Sequence, residues 1–318
     1  MAKIKLASYW ASACGGCDVA ILDTHEKILD IAAAADILLW PIAMDFKYAD
    51  VEAMPDGHID VTLFHGAIRN SENEHLARLL RAKSKVLVAF GSCAHLGGIP
   101  ALANLFNRSM IFKRVYHESP STRNPEAKEP QTKVAVEEGE LRLPEFYDTV
   151  RPLDHIVEVD YYVPGCPPTP TQIWNVVLAI LGGNLPPKGS VVGASEKTQC
   201  DECTLKKHEK KISRFKRIAT SQPDQENCYL EQGFLCLGPV TRGGCDTRCQ
   251  LSGVPCRGCY GPPPGVIDQG AKAISAIASV IEAKDEIEIE KIIADIPDPL
   301  RSLNRFGIAA SLLVRKTL

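Results

Sequence analysis

The sequence feature that most constrains the fold is an alternation of strand-like and helix-like segments between residues 3 and 185. Strands are predicted at 3–10, 36–43, 60–67, 85–90 and 155–163, and helices at 18–34, 71–83 and 169–182. Such alternation is typical of βαβ units, whose strands run parallel and are covered by helices on both faces. The 85–90 segment is apolar without alternation, as expected of a central strand. We therefore predict an α/β fold with a doubly wound, mostly parallel sheet.

Cysteines follow three of these predicted strands. The first strand leads to Cys14 and Cys17, the 85–90 strand leads to Cys93, and the 155–163 strand leads to Cys166. Because parallel strands end at the same edge of a sheet, where ligands bind, we expect four thiols to meet at this edge. Four thiolates suit either a 4Fe–4S cluster or a tetrahedral zinc ion.

The other eight of the twelve cysteines lie between residues 200 and 259. This segment is rich in Gly and Pro and lacks strand or helix periodicity, so we expect it to bury little apolar surface and to depend on bound metal. Chain order divides these cysteines into two groups of four, although spacing alone equally allows interleaved pairs. The groups are Cys200, Cys203, Cys228 and Cys236, then Cys245, Cys249, Cys256 and Cys259.

The character of the sequence changes at residues 184–187, and we place a domain boundary there, giving domains 1–186 and 187–318. The tail from 268 onward is predicted to form helices that cover the cysteine-rich segment or a subunit interface. Their apolar positions are Ile274, Ile277, Ile281, Leu303, Ile308, Leu312 and Leu313.

Residues 107–150 interrupt the earlier alternation and contain a proline-rich polar stretch at 119–130, which we interpret as an exposed loop, either a partner contact or a solvated insertion.

Charge and hydropathy exclude several classes of function. The formal net charge of −3, without interleaved basic and aromatic residues, argues against nucleic-acid binding. There is no run of 18 apolar residues, so we do not expect an integral membrane protein. The start at Met1 lacks the features of a signal peptide, and we therefore expect a cytoplasmic protein whose thiols bind metal instead of forming disulfides.

Residues outside the cysteines supply few chemical signals. The 206–217 stretch carries seven Lys and Arg residues against one Glu, which fits either a docking face for an acidic redox partner or a solvated helix face. No phosphate-binding or dinucleotide-binding motif is present. His95 is interpreted as a structural histidine. Asp18 follows Cys17 at the start of a predicted helix, where an acid is favoured by the helix dipole.

Four cysteine motifs together resemble the small subunit of nickel–iron hydrogenases, in particular the cytoplasmic methyl-viologen-reducing type that serves heterodisulfide reductase. The resemblance covers nearly the whole chain. The motifs are Cys14-Gly15-Gly16-Cys17, Gly91-Ser92-Cys93-Ala94-His95, Pro164-Gly165-Cys166-Pro167-Pro168 and Pro255-Cys256-Arg257-Gly258-Cys259-Tyr260-Gly261-Pro262.

The resemblance implies a flavodoxin-like N-terminal domain and three 4Fe–4S clusters, with no nickel, flavin or nucleotide on this chain. The proximal cluster maps to Cys14, Cys17, Cys93 and Cys166, the distal cluster to Cys200, Cys203, Cys228 and Cys236, and the middle cluster to Cys245, Cys249, Cys256 and Cys259. Many relatives have histidine where Cys200 stands, and relatives with a 3Fe–4S middle centre lack the thiol that Cys249 supplies. The family usually has glutamate at the position of Asp18, near a proton route, so the shorter acid is a candidate proton relay.

We therefore expect an electron-transfer subunit whose catalytic nickel–iron centre lies on a separate large subunit, and whose acceptor is an iron–sulfur or flavin protein, of the heterodisulfide reductase type in this subtype. The alternatives are a sulfur-reducing or nicotinamide-linked hydrogenase subunit, and a zinc-stapled scaffold. The related subunit of respiratory complex I is disfavoured, because it lacks a cysteine-rich C-terminal domain.

Overall fold

The computed structural model describes residues 3–209 and 211–312. Its strands are β1 (Ile4–Trp10), β2 (Ala35–Leu39), β3 (Ile59–His65), β4 (Ile68–Asn70), β5 (Ser84–Phe90), β6 (Lys133–Val136), β7 (Gly139–Arg142), β8 (Phe146–Arg151), β9 (Tyr161–Val163) and β10 (Ser190–Val191). Its α-helices are α1 (Gly16–Leu22), α2 (Lys27–Ala34), α3 (Tyr48–Glu52), α4 (Ser71–Lys83), α5 (Ser92–Leu96), α6 (Arg108–Phe112), α7 (Pro170–Leu181), α8 (Gln199–Glu202), α9 (Arg248–Leu251), α10 (Gln269–Ala278), α11 (Glu286–Ala294) and α12 (Pro299–Leu303).

A six-stranded sheet with the order β2-β1-β3-β5-β9-β10 forms the centre of the fold. Every neighbouring pair in it is parallel. The strand order reverses at β1, as in flavodoxin-like folds, and the crevice outside the carboxyl ends of the strands is the expected binding edge. The predicted α/β fold is confirmed. The sheet includes β10, so it extends past residue 186, and the boundary placed there stays a prediction.

Local sequence signals account for the two long helices that were predicted at 71–83 and 169–182. Asn70 caps α4 by accepting a hydrogen bond from the Asn73 amide (2.8 Å). Thr169 caps α7 in a capping box with Gln172, and Pro170 occupies the first helical position. Both helices therefore begin where their caps place them.

Three predicted elements are shorter in the structure, each for a local reason. The helix expected at 18–34 is interrupted between α1 and α2, where Thr24 Oγ1 bonds to the Ile21 carbonyl (2.7 Å) and His25 has a left-handed φ of 56°. The strand expected at 36–43 ends at Leu39, just before Pro41, which has no amide to donate. The strand expected at 155–163 is reduced to β9, because residues 153–155 form a 3₁₀ turn instead.

The cysteine-rich segment has a hydrophobic core that the sequence analysis did not anticipate. Ile212, Phe215 and Leu230 are buried together with residues of α10 to α12, such as Ile277 and Leu303. The expectation of little buried apolar surface was wrong, because the apolar partners come from a distant part of the chain. Of the predicted tail positions, Ile308 is also buried, Leu312 is exposed and Leu313 lies outside the described residues.

Residues 107–150 contain more structure than the predicted insertion loop. Strands β6 and β7 form an exposed antiparallel hairpin, and β8 pairs with β4 beside the sheet. The polar stretch at 119–130 is a largely exposed loop, as predicted.

In the part of the chain that the structure describes, no helix is long and apolar enough to cross a membrane.

Candidate metal centres

The four cysteines that follow β1, β5 and β9 meet at the carboxyl edge of the sheet. Cys17 and Cys93 are buried, whereas Cys14 and Cys166 are exposed. Burial, followed by the charges of neighbouring Cys166 and Cys14, raises the pKa of Cys93 to about 12. Burial and then the other three cysteines raise the pKa of Cys17 as well. The sulfurs are thus close enough to oppose one another's ionisation, and a bound cation would relieve that cost.

Glycines provide the space that these sulfurs occupy. A Cβ atom on Gly91 would lie 2.6 Å from Cys17 Sγ, and one on Gly98 would lie 2.6 Å from Cys93 Sγ. Both glycines also have positive φ values, 84° and 57°. Only glycine both lacks a Cβ atom and adopts a positive φ without strain. The glycines in the turns after β5 therefore leave room for the two thiols.

Cys200, Cys203, Cys228 and Cys236 line a second, separate cavity. Burial raises the pKa of Cys236 to about 11, and backbone amides of Gly238 and Cys256 that donate to its sulfur oppose this shift. The side-chain ammonium of Lys207 donates to the carbonyls of Cys200 and Cys203. These four cysteines therefore lie around one cavity, and their grouping as ligands of one cluster stays a prediction.

Cys245, Cys249, Cys256 and Cys259 form a third group between the other two. Burial, then Cys249, Cys166 and Cys245, raise the pKa of Cys259 to about 12. Amides of Thr247 and Arg248 donate toward the Cys245 sulfur. Asp246 and Thr247 have left-handed φ values of 55° and 49°, which turn successive amides toward this sulfur. Such donors stabilise a thiolate.

Backbone hydrogen bonds link the three groups in a defined order. The amide of Cys166, in the first group, donates to the sulfur of Cys259, in the third. The amide of Cys256, also in the third group, donates to the sulfur of Cys236, in the second. Ser92 Oγ lies between the carbonyl oxygens of Gly165 (2.9 Å) and Cys259 (2.5 Å), and so joins the same two loops. These links depend on loop geometry and had no signal in the sequence.

The donor sets fit iron–sulfur clusters. None of the twelve cysteines, all of them among the described residues, is in a disulfide, and thiolate sulfur is the ligand that favours iron–sulfur clusters and zinc. Among residues 3–209 and 211–312, no three or more His, Cys, Asp and Glu side chains are arranged to hold a single metal ion. At least one thiol of each group is buried, and burial and hydrogen bonds to sulfur are the means by which a protein tunes a thiolate-held cluster.

Asp18 lies in the first turn of α1 and is only 2% exposed. Its Oδ1 accepts a hydrogen bond from Trp40 Nε1 (2.7 Å), and His65 Nε2 lies 3.1 Å from the same oxygen. Its Oδ2 has no hydrogen-bond partner within the described ranges. These contacts tie the Cys14–Cys17 loop to the ends of β2 and β3. The proton-relay role of Asp18 stays a prediction.

We expect Asp18→Ala to lower the free energy of unfolding by about 1–3 kcal/mol, because it leaves the buried Trp40 donor without an acceptor. Asp18→Asn retains an acceptor oxygen and is expected to cost less. Urea unfolding under anaerobic conditions measures both changes. Equal losses in the two variants would contradict this explanation and indicate that the charge of Asp18, not its hydrogen bond, holds the loop.

His95, interpreted from the sequence as a hydrogen-bonded structural histidine, is packed inside the fold, but its Nδ1 has no hydrogen-bond partner among the described residues. Its ring packs against Tyr162 with 4.7 Å between ring centroids. Burial, with a smaller contribution from Arg242, lowers the pKa of His95 to about 4. The imidazole is therefore neutral at physiological pH, and it fills space behind the turn that carries Cys93.

Comparison with known families matches the region of the chain that contains the first group of cysteines. Residues 14–180 match the family model described as NADH ubiquinone oxidoreductase, 20 Kd subunit. The matched region contains Cys14, Cys17, Cys93 and Cys166 and ends before Cys200. The solved NAD+-reducing [NiFe]-hydrogenase includes a chain that is 31% identical, with a TM-score of 0.50, over 58% of this chain and 94% of that one.

Two curated relatives extend the similarity through the C-terminal cysteines. The iron-sulfur subunit of the F420-non-reducing hydrogenase of Archaeoglobus profundus is 43% identical over 319 residues, which cover 98% of each chain. A subunit of the vhu F420-non-reducing hydrogenase of Methanocaldococcus jannaschii is 37% identical over 316 residues, again 98% of each. The chain therefore belongs to the NADH ubiquinone oxidoreductase 20 Kd subunit family and, within it, to the small subunits of hydrogenases.

Proposed function

We propose that this chain is the electron-transfer subunit of a cytoplasmic nickel–iron hydrogenase and that it holds three 4Fe–4S clusters. The ligand sets are a proximal group of Cys14, Cys17, Cys93 and Cys166, a middle group of Cys245, Cys249, Cys256 and Cys259, and a distal group of Cys200, Cys203, Cys228 and Cys236. The proximal group would belong to a domain of residues 1–186, and the others to a domain of residues 187–318.

The observation that carries this proposal is the order in which the groups are linked. The Cys166 amide reaches Cys259, and the Cys256 amide reaches Cys236. When bound, iron–sulfur clusters accept and release single electrons. The chain itself supplies thiolates, donates amide hydrogen bonds to sulfur and holds neighbouring groups in contact. These links support a proximal–middle–distal path.

The path has two ends, and each implies a partner. A large subunit with the nickel–iron centre would dock near the proximal group, and an electron acceptor would take electrons from the distal group. The two curated relatives are named as subunits of F420-non-reducing hydrogenases. Together with the resemblance of the cysteine motifs, this supports the methyl-viologen-reducing subtype, for which we propose a heterodisulfide reductase-type acceptor. Sulfur-reducing and nicotinamide-linked acceptors are the alternatives, since the relatives also include the delta chain of sulfhydrogenase 2 of Pyrococcus furiosus, at 27% identity.

Metal analysis of the anaerobically purified complex tests the proposal. For the complex with its large subunit alone, we expect about twelve irons and twelve sulfides from three four-iron clusters, after the one iron of the nickel–iron centre is subtracted. About eleven irons would remove Cys249 from the ligands and make the middle cluster 3Fe–4S. About four irons would leave the proximal cluster alone and end the electron-path argument. Zinc without iron would contradict the hydrogenase proposal and support a zinc-stapled scaffold.

The proton-relay proposal for Asp18 has its own test. Hydrogen turnover by the complex is measured across pH for Asp18→Asn and for the unchanged chain. A relay predicts slower turnover and an altered pH profile, because the amide cannot carry a proton between partners. Unchanged turnover and an unchanged profile would leave Asp18 with only the structural contacts to Trp40 and His65.

A further inference from the structure

A cavity of about 330 Å³ is lined by Cys256 of the middle group and by Phe234, Leu235 and Leu237, the neighbours of Cys236 in the distal group. Four separate stretches of chain contribute residues to its wall: 216–219, 234–237, 255–257 and 297–305. Cys256, a proposed cluster ligand, is part of its wall. None of the proposed cluster assignments accounts for this cavity.

Four cationic side chains line the cavity: Lys216, Arg217, Arg257 and Arg305. No carboxylate lines it among the residues that the structure describes. Burial, with Arg257 as a second cause, lowers the pKa of Arg305, so two of these guanidinium groups lie close enough to repel each other. Like charges gathered at one place are costly unless an anion lies between them.

Nearby acidic residues are engaged elsewhere. Asp295 accepts a hydrogen bond from the Phe215 amide (3.2 Å) and lies 3.9 Å from Arg214. Asp298 pairs with Arg301 and caps α12. The backbone that carries Lys216 is held in place, since its amide bonds to the Gly233 carbonyl (2.8 Å). The cations are thus presented on a fixed framework and face solvent or a partner.

We propose that this cavity docks a carboxylate-bearing segment of the protein that accepts electrons from this chain. The inference rests on the proposed electron-transfer function and deepens it by giving the chemistry of the acceptor's contact. The charge complementarity is direct, because four cations can pair with carboxylates in a cavity wide enough for side chains but too small for a folded domain. The 206–217 stretch supplies only two of the four cations, and the fold adds Arg257 and Arg305.

The test uses the complex with its large subunit and a fluorescent hexaglutamate peptide as the probe. The cavity variant is Arg217→Gln with Arg305→Gln. The control is Lys206→Gln with Lys211→Gln, which removes the same charge from residues paired with Glu226, Glu209 and Glu282. We expect the cavity variant to weaken peptide binding about tenfold, or about 1.4 kcal/mol shared by two charge pairs, and the control to change it less than about twofold.

Several results would overturn the proposal. Absence of peptide binding to the unchanged complex, or equal weakening in both variants, would show that the cavity is not a specific acidic site. Unchanged peptide binding together with a shifted potential of the middle cluster would assign these cations to balancing cluster charge. Displacement of the peptide by sulfate, beyond the effect of sodium chloride at equal ionic strength, would identify a site for free oxyanions instead.

A separate readout keeps the two proposals distinct. Hydrogen-dependent reduction of benzyl viologen, a small cationic dye, requires the electron path but no acidic docking segment. We expect both variants to reduce the dye at the rate of the unchanged complex. If the unchanged complex fails to reduce the dye, the proposed function fails, whereas loss of peptide specificity with normal dye reduction removes only the docking proposal.

Discussion

In the Cys166→Ala variant, we expect the middle and distal clusters to remain oxidised under hydrogen. On the proposed path, Cys166 is a ligand of the first cluster, and its loss removes that site. We expect hydrogen-dependent viologen reduction to fall by at least about a hundredfold, since loss of an outer-shell partner alone costs ten- to a hundredfold. Electron paramagnetic resonance of samples frozen under hydrogen measures which clusters become reduced.

The matched control is Cys228→Ala, which removes a thiol from the distal group instead. Hydrogen should still reduce the proximal and middle clusters in this variant. Iron content and co-purification of the large subunit show that each variant is folded. Reduction of the distal cluster by hydrogen in Cys166→Ala, at the normal rate, would contradict the linked order of the three groups.

Gly98→Ala is the second change with a large expected effect. Its Cβ would lie 2.6 Å from Cys93 Sγ and 2.8 Å from the Cys93 Cα, so either the turn or the thiol must move. Gly98 also has φ 57° and ψ −152°, a region that is essentially closed to other residues. Strain and overpacking together should cost about 3–5 kcal/mol and displace a proximal ligand. Chemical unfolding and iron content measure the two effects.

Gly183→Ala is the control that separates backbone strain from overpacking. Gly183 has a similar φ of 66°, but a Cβ there would meet nothing within 4 Å. It is expected to cost only the backbone strain, about 1 kcal/mol, and to leave the iron content unchanged. If Gly98→Ala behaves in the same way, the space beside Cys93 is not needed to seat that ligand.

The sequence was a good guide to the sheet and to the proximal group of cysteines. The alternation of strand-like and helix-like segments predicted the parallel sheet. The nearly continuous apolar sequence of β5 (Ser84–Phe90) indicated a strand that is buried on both faces. Since parallel strands end at one edge, Cys93 and Cys166 were expected near Cys14 and Cys17. The positions of helix and strand ends were less accurate, because Thr24, His25 and Pro41 act through local geometry.

The C-terminal half shows the limit of the same reasoning. Its cysteines could be grouped only by chain order, with interleaving equally allowed. Periodicity within 200–259 gave no sign of a core, because Ile212 and Phe215 find their partners in α10, α11 and α12, beyond that segment. The antiparallel hairpin of β6 and β7 was also missed.

Residue types and their spacing by themselves determined the fold class, the thiol donors and the edge at which four of them meet, because these follow from periodic burial and from parallel strand direction. Only the tertiary structure decided how the groups connect and what surrounds them. The Cys166–Cys259 and Cys256–Cys236 contacts and the cavity with Arg257 and Arg305 each join segments far apart in the chain. Such contacts depend on how loops pack against one another, and no local pattern encodes that packing.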